Sequence, residues 1–182
     1  MSIPEVLSVK EIYQGKIFDV SIAEIREGEI EYKREIITHK GSVVIVPVFA
    51  DKTVALVRQY RHAAGKYLLE IPAGTLEKYE SAEIGAEREL EEEIGVKAGK
   101  LEKLTEFYVS PGFLSEKMFV YLATDLRETQ QNLEADELLT VERYSFPELF
   151  EKIKSNEIED AKTMLSLILA AAIFGFSYES QS

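Results

Sequence analysis

Cysteine and tryptophan are absent from the 182-residue chain, and only two histidines occur. Without cysteine there can be no disulfide, no thiolate metal site and no thiol nucleophile. A cytoplasmic location is expected on that composition. His39 and His62 are too far apart for a His-x-x-x-His zinc motif, and each is read as a turn or surface residue. Basic residues are in deficit: 21 Lys and Arg face 33 Asp and Glu, a formal net charge of -12. That balance argues against binding to nucleic-acid backbones, which attract basic faces. A phosphorylated small molecule can still bind where arginines or bridging cations are at hand. Long apolar runs are missing too. The longest, Met164 to Phe176, is interrupted by Ser166 and Gly175 and falls short of the roughly 20 residues that span a bilayer. It is expected to form a buried terminal helix. The opening MSIPEVLSVKEIYQGK has no apolar core behind a basic start, so no signal peptide and no membrane partner are expected.

What is present suits one globular unit with its own core, at 46% hydrophobic and 10% aromatic residues. Residues 8–39 read as two or three strands, with apolar and polar residues alternating for much of Glu29 to Ile36. Ser42 to Phe49 is a near-continuous apolar strand, and a turn at Ala50 to Lys52 leads into Thr53 to Tyr60 as a hairpin. Pro47 argues for an edge or a bulge at its position. Glu70 to Gly74 reads as a strand end followed by a loop. A helix is expected over 81–94, with Ser81 as N-cap and Gly95 as stop. Strands follow at 101–109, 118–124 and 141–146, then helices at 146–155 and 161–174. Strands first, one central helix and helices at the end suggest an α+β mixed sheet with helices packed on it.

The central helix carries the chemistry. Ala82, Ala86, Leu90 and Ile94 form a drifting apolar stripe. Glu89, Glu92 and Glu93 share an arc of about 100° at its margin. Glu87/Glu91 and Glu89/Glu93 are like-charge pairs one turn apart, each unfavourable by roughly 0.2–0.5 kcal/mol. Only Arg88 offsets them within the run 87–93. A glutamate-rich helix is usually a solvated face, but here a strand end and the loop Pro72-Ala73-Gly74 precede it. Gly74 permits close backbone approach, so a nearby carbonyl can join a metal shell. A divalent cation would relieve the repulsion, and magnesium suits an all-oxygen site.

Gly74 to Val96, GTLEKYESAEIGAERELEEEIGV, resembles the complete Nudix box. Gly74, Glu80, Arg88, Glu89, Leu90, Glu92, Glu93, Gly95 and Val96 fill its nine defined positions, so chance agreement is improbable. Arg58-Gln59-Tyr60-Arg61, Glu70-Ile71-Pro72-Ala73-Gly74, Pro111 within Ser110-Pro111-Gly112-Phe113, and Asp160-Ala161-Lys162-Thr163 are similar to segments of ADP-ribose pyrophosphatases. The likeness covers about residues 8–174. It implies a Nudix fold, a mixed β-sheet sandwiched between helices, at 42–182. Residues 1–41 would then be an N-terminal antiparallel strand extension that dimerises and contributes to the partner's site.

The resemblance further implies magnesium-dependent hydrolysis of ADP-ribose to AMP and ribose 5-phosphate, with manganese as a substitute metal. Glu89 and Glu93 would be the main metal ligands, assisted by Glu92 and the Ala73 carbonyl, while Arg88 and Glu80 would be structural. Arg61, and less strongly Arg58, would contact phosphate. Arg34 and Glu35 match positions that approach the nucleotide from a neighbouring subunit. Glu77 would touch a ribose, and Gly112 belongs to the subfamily's turn near the substrate. The catalytic base would come from an acidic loop, with Glu137 first and Glu116 second, and Glu134 and Asp136 also in the loop cluster. Tyr108 could pack on a base, although sheet core is the expected place for it. Two readings compete: another nucleoside-diphosphate sugar, NADH or a dinucleoside polyphosphate as substrate, or a nucleotide-binding sensor without hydrolysis. The intact glutamate set argues against the sensor, which has no need of that repulsion.

Overall fold

The computed structural model describes residues 3–133, 135 and 137–178. The chain opens with three antiparallel strands, β1 (Glu5–Gln14), β2 (Phe18–Glu27) and β3 (Ile30–His39), in the order β1-β2-β3. The two or three strands expected over 8–39 are therefore three, the first beginning at Glu5. Glu27 pairs with Ile30, so β2 reverses into β3 through two residues. Gly28 takes a φ of 63° there, the left-handed conformation that such a tight hairpin requires. Strand β3 fastens this sheet to the rest of the molecule. The Ile37 amide donates to the Phe113 carbonyl (2.7 Å), and the Ser115 amide donates to the Ile37 carbonyl (2.9 Å).

The remaining strands are β4 (Ser42–Pro47), β5 (Thr53–Arg61), β6 (Lys66–Glu70), β7 (Ala73–Thr75), β8 (Val96–Lys97), β9 (Lys100–Tyr108), β10 (Lys117–Thr124), β11 (Arg127–Glu128) and β12 (Leu139–Ser145). The helices are α1 (Ala82–Ile94), α2 (Phe146–Lys154) and α3 (Ala161–Ile173). One sheet has the order β7-β4-β10-β9, a second has β12-β5-β6, and β11 and β8 form a two-stranded ribbon. The first of these is mixed, because β4 runs parallel to β10 and antiparallel to β7.

Two sequence expectations change here. Strands β4 and β5 do not form an extended hairpin: they lie in different sheets, and the chain between them is tied only at the turn, by the Val48–Val54 bridge and the Phe49 amide bonding the Thr53 carbonyl at 2.9 Å. Each finds its main partners far along the chain, at β10 and β12. Pro47 then has a clear place. Strand β7 pairs only with residues 42–44, so Pro47 bonds β10 alone and its missing N–H interrupts no ladder on the other side. The segment expected to be loop after Glu70 also extends, as β7, along β4.

Both faces of the mixed sheet are buried, which explains the apolar run in β4. Val43, Ile45, Tyr121 and Ala123 pack with Ala86 and Leu90 of α1. Val44, Val46, Val120 and Leu122 pack with Phe146, Leu149 and Phe150 of α2 and with Leu167, Ala170 and Ala171 of α3. Full burial of one Leu or Ile stabilises by about 1.5–3 kcal/mol, so Leu90 and Ile45 alone give α1 a firm seat. Helix α3 is less buried than expected: Leu165, Ile168, Leu169 and Ile173 face outward. Tyr108 is not sheet core either. It ends the edge strand β9 and is exposed, with the Lys117 ammonium 5.7 Å from its ring centre.

Candidate active site

Helix α1 begins and ends where its sequence dictates. The Ser81 hydroxyl accepts from the Ile84 amide at 3.3 Å, and Gly95 closes the helix with a φ of 66°. Its buried residues are Gly85, Ala86, Glu89, Leu90 and Glu93, while Ala82 and Ile94 are only partly buried. The buried face is thus centred on the carboxylates rather than bordering them. Glu93 is 2% exposed and Glu89 7%. Gly74 of β7 makes this possible, because a Cβ there would overlap the Glu89 carboxylate.

The charges are arranged asymmetrically. Arg88 donates from Nε and Nη2 to both oxygens of Glu80, at 2.9 and 3.0 Å. Its Nη1 bonds Glu89 at 2.7 Å and Glu92 at 2.9 Å. A fork held this way aligns the glutamates, in keeping with the structural part expected for Arg88 and Glu80. Among the described residues Glu93 has no such ion pair. Its carboxylate accepts from the Ala73 amide at 3.1 Å. Burial, then the nearby Glu89, push its pKa up to about 8, with Glu137 adding to the effect and Arg61 opposing it. Burial likewise raises Glu89, against the pull of Arg88. Among the described residues no three acidic or imidazole side chains already converge as a cation cage. Glu89 and Glu92 are turned onto Arg88 instead. The donor set nevertheless fits a hard cation: it is all oxygen, and its most buried member makes no ion pair among the described residues.

Strand alternation separates the two candidate arginines. Positions 58 and 61 are an odd number apart, so their side chains leave β5 on opposite faces. Arg61 points to the face that also carries Glu70. Its Nε and Nη2 donate to the two Glu70 oxygens at 2.7 and 2.9 Å, and it lies near enough to Glu93 for each to shift the other. Arg58 turns the other way. It pairs with Glu142 at 2.5 and 3.2 Å and reaches Glu157 at 3.4 Å. Arg58 is thus held by two carboxylates, and it lines a cleft together with Glu137.

Sequence reasoning gave Glu70 and Lys162 no role. Glu70 is 1% exposed, and Lys162 forms an ion pair with its second oxygen. Lys162 also pairs with Asp160 at 3.0 Å. The one available signal was a glutamate set among Leu68, Leu69 and Ile71, where an ion needs partners.

Glu137 precedes β12 and acts electrostatically on both Glu89 and Glu93. Glu116 sits elsewhere. It accepts from the Ser42 hydroxyl at 2.6 Å and lies 3.7 Å from His39 Nδ1. His39 is tucked into that junction rather than on the surface, and its Nδ1 accepts from the Gly41 amide at 3.0 Å. Glu134 and Asp136 lie outside the described residues. Glu77 is exposed, and its amide donates to Glu80 at 3.0 Å. Arg34 stacks on Tyr32, 4.2 Å from the ring centre. It lines a cleft of about 320 Å³ together with Pro111, Gly112 and Phe113. Glu35 is exposed beside it. No hydrogen bond or ion pair among the described residues links Arg34 or Glu35 to Glu89 or Glu93. A larger concavity of about 460 Å³ follows the outer flank of α1 and includes Arg88 but none of Glu89, Glu92 and Glu93. Burial and charge favour the glutamates over that surface as the seat of chemistry.

The family model described as NUDIX domain matches residues 38–167. The chain belongs to the NUDIX family. A protein of Bacillus subtilis (strain 168) named ADP-ribose pyrophosphatase is 38% identical over 165 residues, covering 88% of this chain and 89% of its own. One from Bacillus methanolicus, named methanol dehydrogenase activator, is 33% identical with the same coverage. A solved structure titled as that of an ADP compounds hydrolase superimposes with a TM-score of 0.86. It covers 96% of each chain at 24% identity, a likeness that bears on the NUDIX fold alone.

Proposed function

We propose that this NUDIX protein hydrolyses the pyrophosphate bond of ADP-ribose to AMP and ribose 5-phosphate, using magnesium. One observation carries the reading: Glu93 is buried beside Glu89 and within reach of Glu137, and its hydrogen-bond donor is a neutral amide. Such a carboxylate either stays protonated or meets a cation. Glu89, Glu92, Glu93 and the Ala73 carbonyl would hold the metal. When bound, it would neutralise phosphate charge and acidify a water. Manganese, with similar oxygen preference, would substitute.

The chain's own groups then divide the work. Arg61 faces the cluster and would bind the diphosphate. Glu137 would accept the proton of the attacking water, a better choice than Glu116, because it acts on both Glu89 and Glu93 whereas Glu116 lies at the Ser42–His39 junction. Arg88 and Glu80 would keep the glutamates aligned. The cleft shared by Arg34 and Gly112 would take part of the nucleotide, and Glu77 a ribose. The name of the Bacillus subtilis relative supports ADP-ribose over other nucleoside diphosphates.

The reading includes a homodimer and a cytoplasmic location. Residues 1–41 would dimerise, bringing Arg34 and Glu35 to the partner's site. Val6, Val9, Ile12 and Tyr13 of β1 are exposed, as are Leu165, Ile168 and Ile173 of α3, and apolar surfaces of this kind usually meet a partner. No helix among the described residues is long and apolar enough to cross a membrane, and the chain has no cysteine.

The test is product analysis over a panel of ADP-ribose, GDP-mannose, NADH and diadenosine polyphosphates, with magnesium or with EDTA. AMP and ribose 5-phosphate from ADP-ribose, abolished by EDTA, is the expected result. Preferred turnover of another compound would overturn the substrate, turnover in EDTA would overturn the metal, and binding without turnover would favour a sensor.

A further inference from the structure

Glu70 is a fully buried carboxylate that the hydrolytic scheme above does not use. It ends β6 and is gripped from two sides. Arg61 binds it through Nε and Nη2 at 2.7 and 2.9 Å, and Lys162 of α3 pairs with the same oxygen as Nη2. Lys162 is itself almost enclosed, with 11% of its side chain exposed. The first turn of α3 is fixed to the same place. Asp160 accepts from the Thr163 amide at 2.9 Å and from its hydroxyl at 2.5 Å. The Thr163 hydroxyl oxygen accepts from the Ile71 amide at 3.0 Å. Burial alone would raise the Glu70 pKa, yet the two cations outweigh it and hold it below the usual value.

A buried ion triad is poor stabilising material, because desolvation offsets most of the attraction. Its distinctive effect is geometric. Glu70 fixes two of the three Arg61 nitrogens, which sets the plane of the guanidinium and leaves Nη1 outside the pair. Lys162 holds Glu70 from its other side and is itself shared with Asp160 at 3.0 Å. The two cations and two carboxylates balance in charge, so the effect on Arg61 is one of orientation. The Arg61 guanidinium is thereby held in one plane, near enough to Glu93 to interact with it.

We propose that Glu70 and Lys162 are positioning residues for Arg61, holding its guanidinium in the orientation that meets the substrate diphosphate. This rests on the hydrolase reading above, in which Arg61 contacts that diphosphate.

The experiment compares Lys162→Met, with Lys162→Arg as rescue, in the full chain. Steady-state kinetics on ADP-ribose read KM and kcat separately, and the Arg61 Nε–Hε NMR resonance reports the pair without substrate. Lys162→Met should raise KM about ten-fold, keep kcat within about two-fold, and shift or broaden the Arg61 resonance. Lys162→Arg should restore both. An unchanged KM and resonance in a folded variant would overturn the proposal, as would a loss confined to kcat. Should Lys162→Met not fold, Glu70→Gln gives the same two readings, because the amide keeps the volume and removes the charge. Absence of ADP-ribose turnover in the unmodified protein would refute the substrate reading alone. The Arg61 resonance would then decide the positioning role, which an unmoved signal in both variants overturns.

Discussion

The Glu89 carboxylate fills the space that a side chain at position 74 would occupy. Helix and strand are therefore fitted to one another at the level of a single missing Cβ. Gly74→Ala should push Glu89 off its seat while leaving the two cores intact. We expect manganese affinity and kcat to fall about 10- to 100-fold, with an unchanged circular dichroism spectrum. Titration with manganese and steady-state rates check this, and a variant of normal affinity would contradict it.

Glu93 makes stability depend on pH in a definite direction. Its pKa is raised by burial and by Glu89 from 4.5 to about 8 in the folded chain. The folded state therefore binds the proton more tightly than the unfolded one. The resulting stabilisation is complete below pH 4.5 and is lost as pH rises through 8. In EDTA, Glu93→Gln should remove much of this slope and raise Tm at pH 8.5 by about 5 °C relative to the unmodified protein. Thermal melts of both proteins from pH 5 to 9 test the claim, and parallel curves would refute it.

Arg88 joins three glutamates, and a lysine cannot reproduce its fork. Arg88→Lys should destabilise by at least about 2 kcal/mol, since one charged hydrogen bond is worth roughly 1.5–3 kcal/mol and a lysine cannot keep the whole set. It should also lower kcat, because Glu89 and Glu92 lose their alignment. Urea unfolding beside kinetics distinguishes this from a surface arginine, whose replacement would change stability by less than about 0.5 kcal/mol.

Two acidic residues compete for the role of base. Glu137→Gln should lower kcat by about 10²–10⁴-fold, the usual range for a general base. Glu116→Gln should leave kcat within about three-fold, because Glu116 serves the junction of Ser42 and His39. The reverse pattern of rates would exchange the assignments.

The helix, its caps and its glutamates were legible because 3.6-residue periodicity, Ser81 and Gly95 act locally. The mixed sheet was legible in kind, since Ser42 to Phe49 read as a near-continuous apolar strand and helices were expected to pack on the sheet. Pairings were harder. Nothing near Pro47 indicates that β4 joins β10 or that β5 joins β12, because those partners lie roughly 75–90 residues away. The burial of Glu89 and Glu93 also escaped local reading. An apolar stripe of Ala and Leu suggests that glutamates stand at its edge, and only the strand holding Gly74 draws them inside. Arg58 and Arg61 could have been separated by strand parity, whereas the grip of Lys162 on Glu70 joins residues 92 positions apart.

Manganese soaked into crystals with a non-hydrolysable ADP-ribose analogue tests the central claim most directly. Anomalous scattering should appear beside Glu89 and Glu93, within bonding distance of the analogue's diphosphate. A well-ordered diphosphate with no anomalous peak at those carboxylates would contradict the account.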